Sequence, residues 1–138
     1  ESTAICRYLE DLYPEPSLFG SSSIEKAAIE MWQNRVVFEL MLPLAMTFRH
    51  THPAMAKMEN QNASYGEQQR DVALGSLKYF DKHLAGSEYI AGDAFSFADI
   101  QVITTIQMFL PLNKIPMEDF ENISSYNELL SARPSCQV

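Results

Sequence analysis

Apolar residues recur at helical spacing from the start of the chain. Ile5, Tyr8, Leu9 and Leu12 fall at i, i+3, i+4 and i+7, which predicts a helix over residues 2–13 with one apolar face. Ser2 can serve as its N-cap by accepting bonds from the free amides, and Pro14 and Pro16 stop it. Residues 14–21 are rich in Pro, Gly and Ser and read as a linker. Leu18 and Phe19 within it are expected to dock into a neighbouring domain, because such residues are usually buried. A long helix follows over 24–51. Ser22 and Glu25 give it a capping box. Ile24, Ala28, Met31, Phe38, Leu42 and Ala45 form one apolar stripe along it, and Trp32, Val36, Leu40, Leu44 and Phe48 form a second. Two stripes imply a helix covered on two sides, and Pro43 implies a kink. A third helix is expected over 62–84. It is polar at first and then buries Ala73, Leu77, Phe80 and Leu84, with Gly86 closing it. Ser96 caps a fourth, with Asp99 at its third position and a hydrophobic staple between Phe95 and Ile100. That helix is apolar on nearly all sides, the mark of a bundle's centre, and Pro111 is expected to end it. A short helix over 123–132, closed by Pro134, completes an all-α reading.

Composition narrows the function classes. The chain has 138 residues, of which 46% are hydrophobic, enough for one core without staples. A net charge of −8 argues against nucleic acid or an anionic membrane as partner, since both demand a basic face. No apolar run is long enough for a bilayer. The opening residues lack an initiator Met and a basic stretch before an apolar one. They read as a chain cut mid-protein, not as a signal peptide. Cys6 and Cys136 form no ligand pattern. Cys6, beside the first apolar face, is expected to be buried and Cys136 exposed, and a reducing cytoplasm is the natural setting. His50 and His52 alternate at a helix end without a third ligand, so no metal site is expected. His83 is expected at the surface near a helix C-terminus, where it suits the dipole.

Three ordered stretches carry a family resemblance. Glu1 to Glu10, Glu-Ser-Thr-Ala-Ile-Cys-Arg-Tyr-Leu-Glu, with Tyr13-Pro14, resembles the segment that ends the thioredoxin-like domain of glutathione transferases. Ile90-Ala91-Gly92-Asp93, followed by Phe95-Ser96-Phe97-Ala98-Asp99, is similar to that family's folding motif. Ala132-Arg133-Pro134 is similar to its closing segment. The order and spacing hold over nearly the whole chain and look most like bacterial soluble transferases of the β/θ type. The resemblance implies residues 1–13 as the last helix of a thioredoxin-like glutathione-binding domain, 14–22 as an interdomain linker, and 23–138 as the all-helical C-terminal domain. The rest of the first domain, with the Tyr, Ser or Cys that activates the nucleophile, would lie outside these residues. No catalytic residue is therefore assigned in this chain.

The resemblance also assigns sites. Glu1 and Ser2 would meet the γ-glutamyl end of glutathione. Helix-start amides suit its α-carboxylate and Glu1 answers its ammonium; read without the family, Ser2 is simply a cap. Asn34 and Glu39 would reach the same group across a homodimer. The alternative for them is a solvent-facing position, with Glu39 bonded to Arg35 at i, i+4. Met41, Leu42, Met108 and Pro111 would line a greasy, adaptable pocket for the electrophile, or else pack in the core. The implied activity is conjugation of glutathione, as co-substrate, to small hydrophobic electrophiles without a metal. The alternatives are a non-catalytic binding or scaffold module, and a glutathione-dependent isomerase, dehalogenase or reductase. Asp99 is expected to cap and fold its helix, not to catalyse.

Overall fold

The structure, a computed structural model, describes residues 2–136. Its helices are α1 (Ser2–Leu12), α2 (Ser23–Arg35), α3 (Leu42–Thr51), α4 (Ala63–Leu84), α5 (Phe97–Leu112) and α6 (Glu121–Ser131). A π-helical turn, Val36–Met41, joins α2 to α3, and short 3-10 turns follow α3, α5 and α6. The described residues contain no strand, only an isolated bridge between Tyr89 and Gly92. The all-α expectation therefore holds, and each predicted helix is present within a few residues of its expected bounds.

The long second helix runs in three consecutive pieces, α2, the π turn and α3. Pro43 has no amide, so a regular helix would leave the Glu39 carbonyl without its donor. The irregularity sits just upstream: the Leu42 amide bonds Val37 O across the wider π register. Pro43 then occupies the first turn of α3, where a missing amide costs little. At the other end, α2 starts with the expected box. Glu25 N–H donates to Ser22 Oγ at 3.3 Å, and Ser21 and Ser22 N–H donate to Glu25 Oε2 at 2.9 and 3.2 Å.

α3 and α4 form the most extensive helix pair, α4 also packs on α6, and α2 and the π turn pack on α5. Gly66 permits the first of these crossings. A Cβ there would stand 2.6 Å from Thr51 Cγ2 and 3.0 Å from His50 Cβ. α5 is the central helix, with Val102, Ile103, Ile106 and Leu110 in a core shared with Leu40, Leu44, Leu77 and Phe80.

Pro111 does not end α5. The helix runs to Leu112 with the proline inside it. One missing amide so near the end removes a single bond, to Gln107 O, and the terminus closes two residues later. Ile115 N–H donates to Leu110 O at 2.9 Å and Lys114 N–H to Pro111 O at 3.1 Å, the two bonds of a Schellman motif. Its left-handed position holds Lys114, at φ 53°. Glycine takes that conformation without the Cβ clash. Lys114→Gly should therefore raise stability by about 0.5–1 kcal/mol, read as a higher denaturation midpoint. A lower midpoint would contradict this closure.

One expectation about apolar faces is corrected, that the long helix is covered on both stripes. The Trp32–Val36–Leu40–Leu44 stripe is buried, but Ile24, Met31, Phe38 and Leu42 on the other stripe are exposed. The apolar face of α1 is likewise bare: Ile5, Tyr8, Leu9 and Leu12 are all exposed. Periodicity reports that a face is apolar, not that this chain supplies its cover. Ser2 is the first residue of α1 and so stands inside the helix instead of capping it.

Candidate functional site

Four charged side chains set the frame around which any site is built. Asp99 is fully buried at the start of α5. Its carboxylate accepts from Ile90 N–H at 2.8 Å, Ser96 N–H at 2.7 Å, the Ser96 hydroxyl at 2.8 Å and the Tyr126 hydroxyl at 2.5 Å. It thus ties the preceding loop, its own helix start and α6 together. Burial, and then the Asp99 charge, push the Tyr126 hydroxyl far above the usual tyrosine range. Asp81 of α4 caps α6 from outside, accepting from the Asn122 and Ile123 amides at 2.9 and 3.0 Å and from Asn122 Nδ2 at 3.0 Å.

Glu10 of α1 grips the linker. It accepts from the Ser17 hydroxyl at 2.7 Å, from Leu18 N–H at 3.0 Å and from Phe19 N–H at 3.1 Å. Burial opposes its ionisation, but the bonds from Leu18, Ser17 and Phe19, with the Arg7 charge, outweigh it and lower its pKa. The linker in turn grips α5. Phe97 N–H donates to Leu18 O at 2.8 Å, and Phe19 stacks on Phe97 with centroids 4.8 Å apart. Arg7 lies over the Phe19 ring at 4.5 Å and pairs with Glu30 of α2. The expectation that Phe19 docks is met: it is 6% exposed, against the start of α5.

Glu25 is held as an anion. The Ser21 amide and hydroxyl, and then the Ser22 amide, lower its pKa from 4.5 to about 2. A depressed folded-state pKa means the box's contribution is complete above 4.5 and is lost as pH falls toward about 2. A carboxyl titration of Glu25 followed by NMR should show its midpoint near 2. A midpoint near 4.5 would contradict the box.

The expected site residues spread over the surface. Glu1 lies outside the described residues. Ser2 is exposed at the start of α1. Asn34 is exposed and donates from Nδ2 to Glu30 O of its own helix at 3.0 Å. Glu39 is exposed in the π turn. The pairing of Glu39 with Arg35 does not form. Arg35 donates to the Tyr79 hydroxyl and lies over the rings of Trp32 and Tyr79 at 5.3 and 5.2 Å. Of the pocket residues, Met41 is half-buried, Leu42 and Pro111 are exposed, and Met108 is 60% exposed. They stand on mutually packed elements, the π turn, α3 and α5. Core packing is therefore not their role in this chain. None of them lines the cavities of about 530 and 540 Å3 that flank the linker. Phe38, 63% exposed, shares the π turn with Met41 but is not among the expected pocket residues. Its signal was a large aromatic on the stripe that the bundle leaves bare.

The other candidates settle into structure. His50 and His52 accept the Asn62 and Ala54 amides at Nδ1, each at 3.2 Å. No cluster of three potential metal ligands occurs among the described residues. His83 is half-buried, not a surface residue: it stacks near Trp32 with centroids 4.2 Å apart and bonds Ile90 O at 3.0 Å. Cys6 is half-buried, not fully buried, and Cys136 is exposed; both are free. No helix of the described residues is long and apolar enough to cross a membrane.

Residues 40–134 match the sequence profile of the glutathione S-transferase C-terminal domain. The chain belongs to the glutathione S-transferase family and carries its C-terminal helical domain. It is 36% identical over 138 residues to glutathione S-transferase 2 of Saccharomyces cerevisiae, an alignment covering 98% of this chain and 59% of that protein. The crystal structure of Gtt2 from Saccharomyces cerevisiae superposes with a TM-score of 0.90 at 35% identity, covering 99% of this chain and 67% of that one. Elongation factor 1-gamma of Prunus avium is 32% identical over 121 residues, covering 87% of this chain and 27% of that protein. The chain thus spans about three fifths of the length of its yeast relative.

Proposed function

We propose that the whole protein containing this chain conjugates glutathione to small hydrophobic electrophiles, and that this chain supplies the electrophile's wall. The observation that carries the reading is the uncovered apolar surface of Phe38, Leu42 and Met108 on elements packed against each other. Apolar area left open on a rigid scaffold suits an apolar substrate, and methionine adapts to varied shapes. The thiol of glutathione loses its proton to a group outside this chain. The sulphur electron pair forms the new bond to carbon, and the leaving group departs with the broken bond's pair. The wall contributes by holding the electrophile near the sulphur.

In the same reading, Ser2, and Glu1 ahead of it, meet the γ-glutamyl end of glutathione. Asn34 and Glu39 reach it from the second subunit of a cytoplasmic homodimer. The support is that Glu39 has no hydrogen-bond or ion-pair partner among the described residues, while Arg35 is engaged by Tyr79.

The test is steady-state kinetics of the intact protein with an aryl halide. Phe38→Ala and Met108→Gln should raise KM for the halide and leave KM for glutathione unchanged. Glu39→Gln should raise KM for glutathione. Variants that move neither constant would remove the wall from the account. A second reading, a non-catalytic binding module, is favoured by the similarity to elongation factor 1-gamma. It predicts a stoichiometric protein partner and no binding of glutathione.

A further inference from the structure

A cavity of about 540 Å3 opens between the linker, the start of α2 and the loop before α5. Its apolar lining includes Ile24, Ala28, Ala94 and Phe95. Ile24 is 80% exposed and packs in no core. Gly92 adds to the opening. It has φ +145°, and a Cβ built there would meet nothing within 4 Å. The volume is that of a small-molecule site.

The charged residues of the cavity's lining have one sign. Its lining holds two carboxylates, Glu25 and Asp93, and no Lys, Arg or His. Asp93 is exposed and has no hydrogen-bond or ion-pair partner among the described residues. Arg133 lies outside the lining, 3.7 Å above the Phe95 ring, and so occupies one face of that ring. The Ser21 and Ser22 bonds keep Glu25 charged at every physiological pH. Apolar side chains and two carboxylates, with no cation in the lining, disfavour an anion and leave a neutral ligand nothing to pair with the charges. Such a lining favours a compact cation with an apolar body.

We propose that this cavity binds a small hydrophobic organic cation, an aryl- or alkylammonium, with its body against Ile24, Ala28 and Phe95 and its head at Asp93. Three alanine methyls of the lining, those of Ala28, Ala91 and Ala94, report on occupancy.

The test uses the intact protein with labelled alanine methyls. Benzyltrimethylammonium is the probe and neopentylbenzene its neutral isostere. The cation should shift the three methyls saturably and bind about fivefold more tightly than the isostere, the scale of one exposed ion pair. Asp93→Asn, which breaks no bond of the fold, should abolish that difference. Ala28→Trp should fill the cavity and abolish binding of both. Equal binding of cation and isostere, an Asp93→Asn variant that binds the cation unchanged, or methyls that do not move would each overturn the proposal. Loss of transferase activity bears on none of these readouts, so the two claims fail separately.

Discussion

Replacing Asp99 by alanine should destabilise the domain by about 3–5 kcal/mol, the scale for removing one member of a buried polar cluster. The carboxylate answers two backbone amides, of Ile90 and Ser96, and two hydroxyls, of Ser96 and Tyr126. All four donors lie in the interior, where water cannot replace the lost acceptor. Tyr126→Phe removes only one of these bonds and should cost less, about 1–3 kcal/mol for a bond to a charged group. Denaturant unfolding of the two variants checks both the size and the order. An Asp99→Ala domain within 1 kcal/mol of the parent (about a fivefold change in the folding equilibrium) would mean that the cluster does not hold α5 to α6.

Phe19→Ala should be the next largest loss, about 3 kcal/mol, the lower end for a buried Phe. The ring is buried against Phe97 at 4.8 Å and covered by Arg7 at 4.5 Å. Its site is a linker that can partly collapse into the space left behind. The effect should also be local. Without the ring, Glu10 still holds the Leu18 and Ser17 groups, but the linker loses its apolar anchor on α5. Protease cleavage within residues 14–21 should accelerate while α4 and α5 stay protected. Unchanged cleavage with a small stability change would show that the Glu10 bonds alone fix the linker.

These two residues mark the limits of what the sequence disclosed. Asp99 was legible as a cap because a capping box is local: Ser96 and Asp99 stand three apart, with Phe95 and Ile100 around them. The same holds for Ser22 and Glu25, and for the buried face of α4. The bond from Tyr126 was not legible, since it spans 27 positions and no periodicity signals it. Asp81, which caps α6 from 41 positions away, and the Glu10 clamp escaped for the same reason. The bare stripe failed differently. Ile24, Met31, Phe38 and Leu42 were recognised as apolar, but whether a face is covered depends on partners that the stripe itself does not encode. Pro111 failed because proline's cost depends on position, and here it falls in a final turn that a Schellman motif closes. Among the proposed ligand contacts, Asn34 and Glu39 were identified through family resemblance. What the structure adds is that Arg35 turns to Tyr79 and that Glu39 has no partner among the described residues.

That this chain is the electrophile-binding part of a working glutathione transferase is a proposal. Its most direct test is glutathione-dependent conjugation of an aryl halide by the intact protein, with product formation followed as glutathione and halide are varied separately. The account predicts turnover that saturates in both, with the halide constant sensitive to Phe38 and Met108. An intact protein that neither binds glutathione nor forms the conjugate would contradict it and leave the helical domain as a binding module.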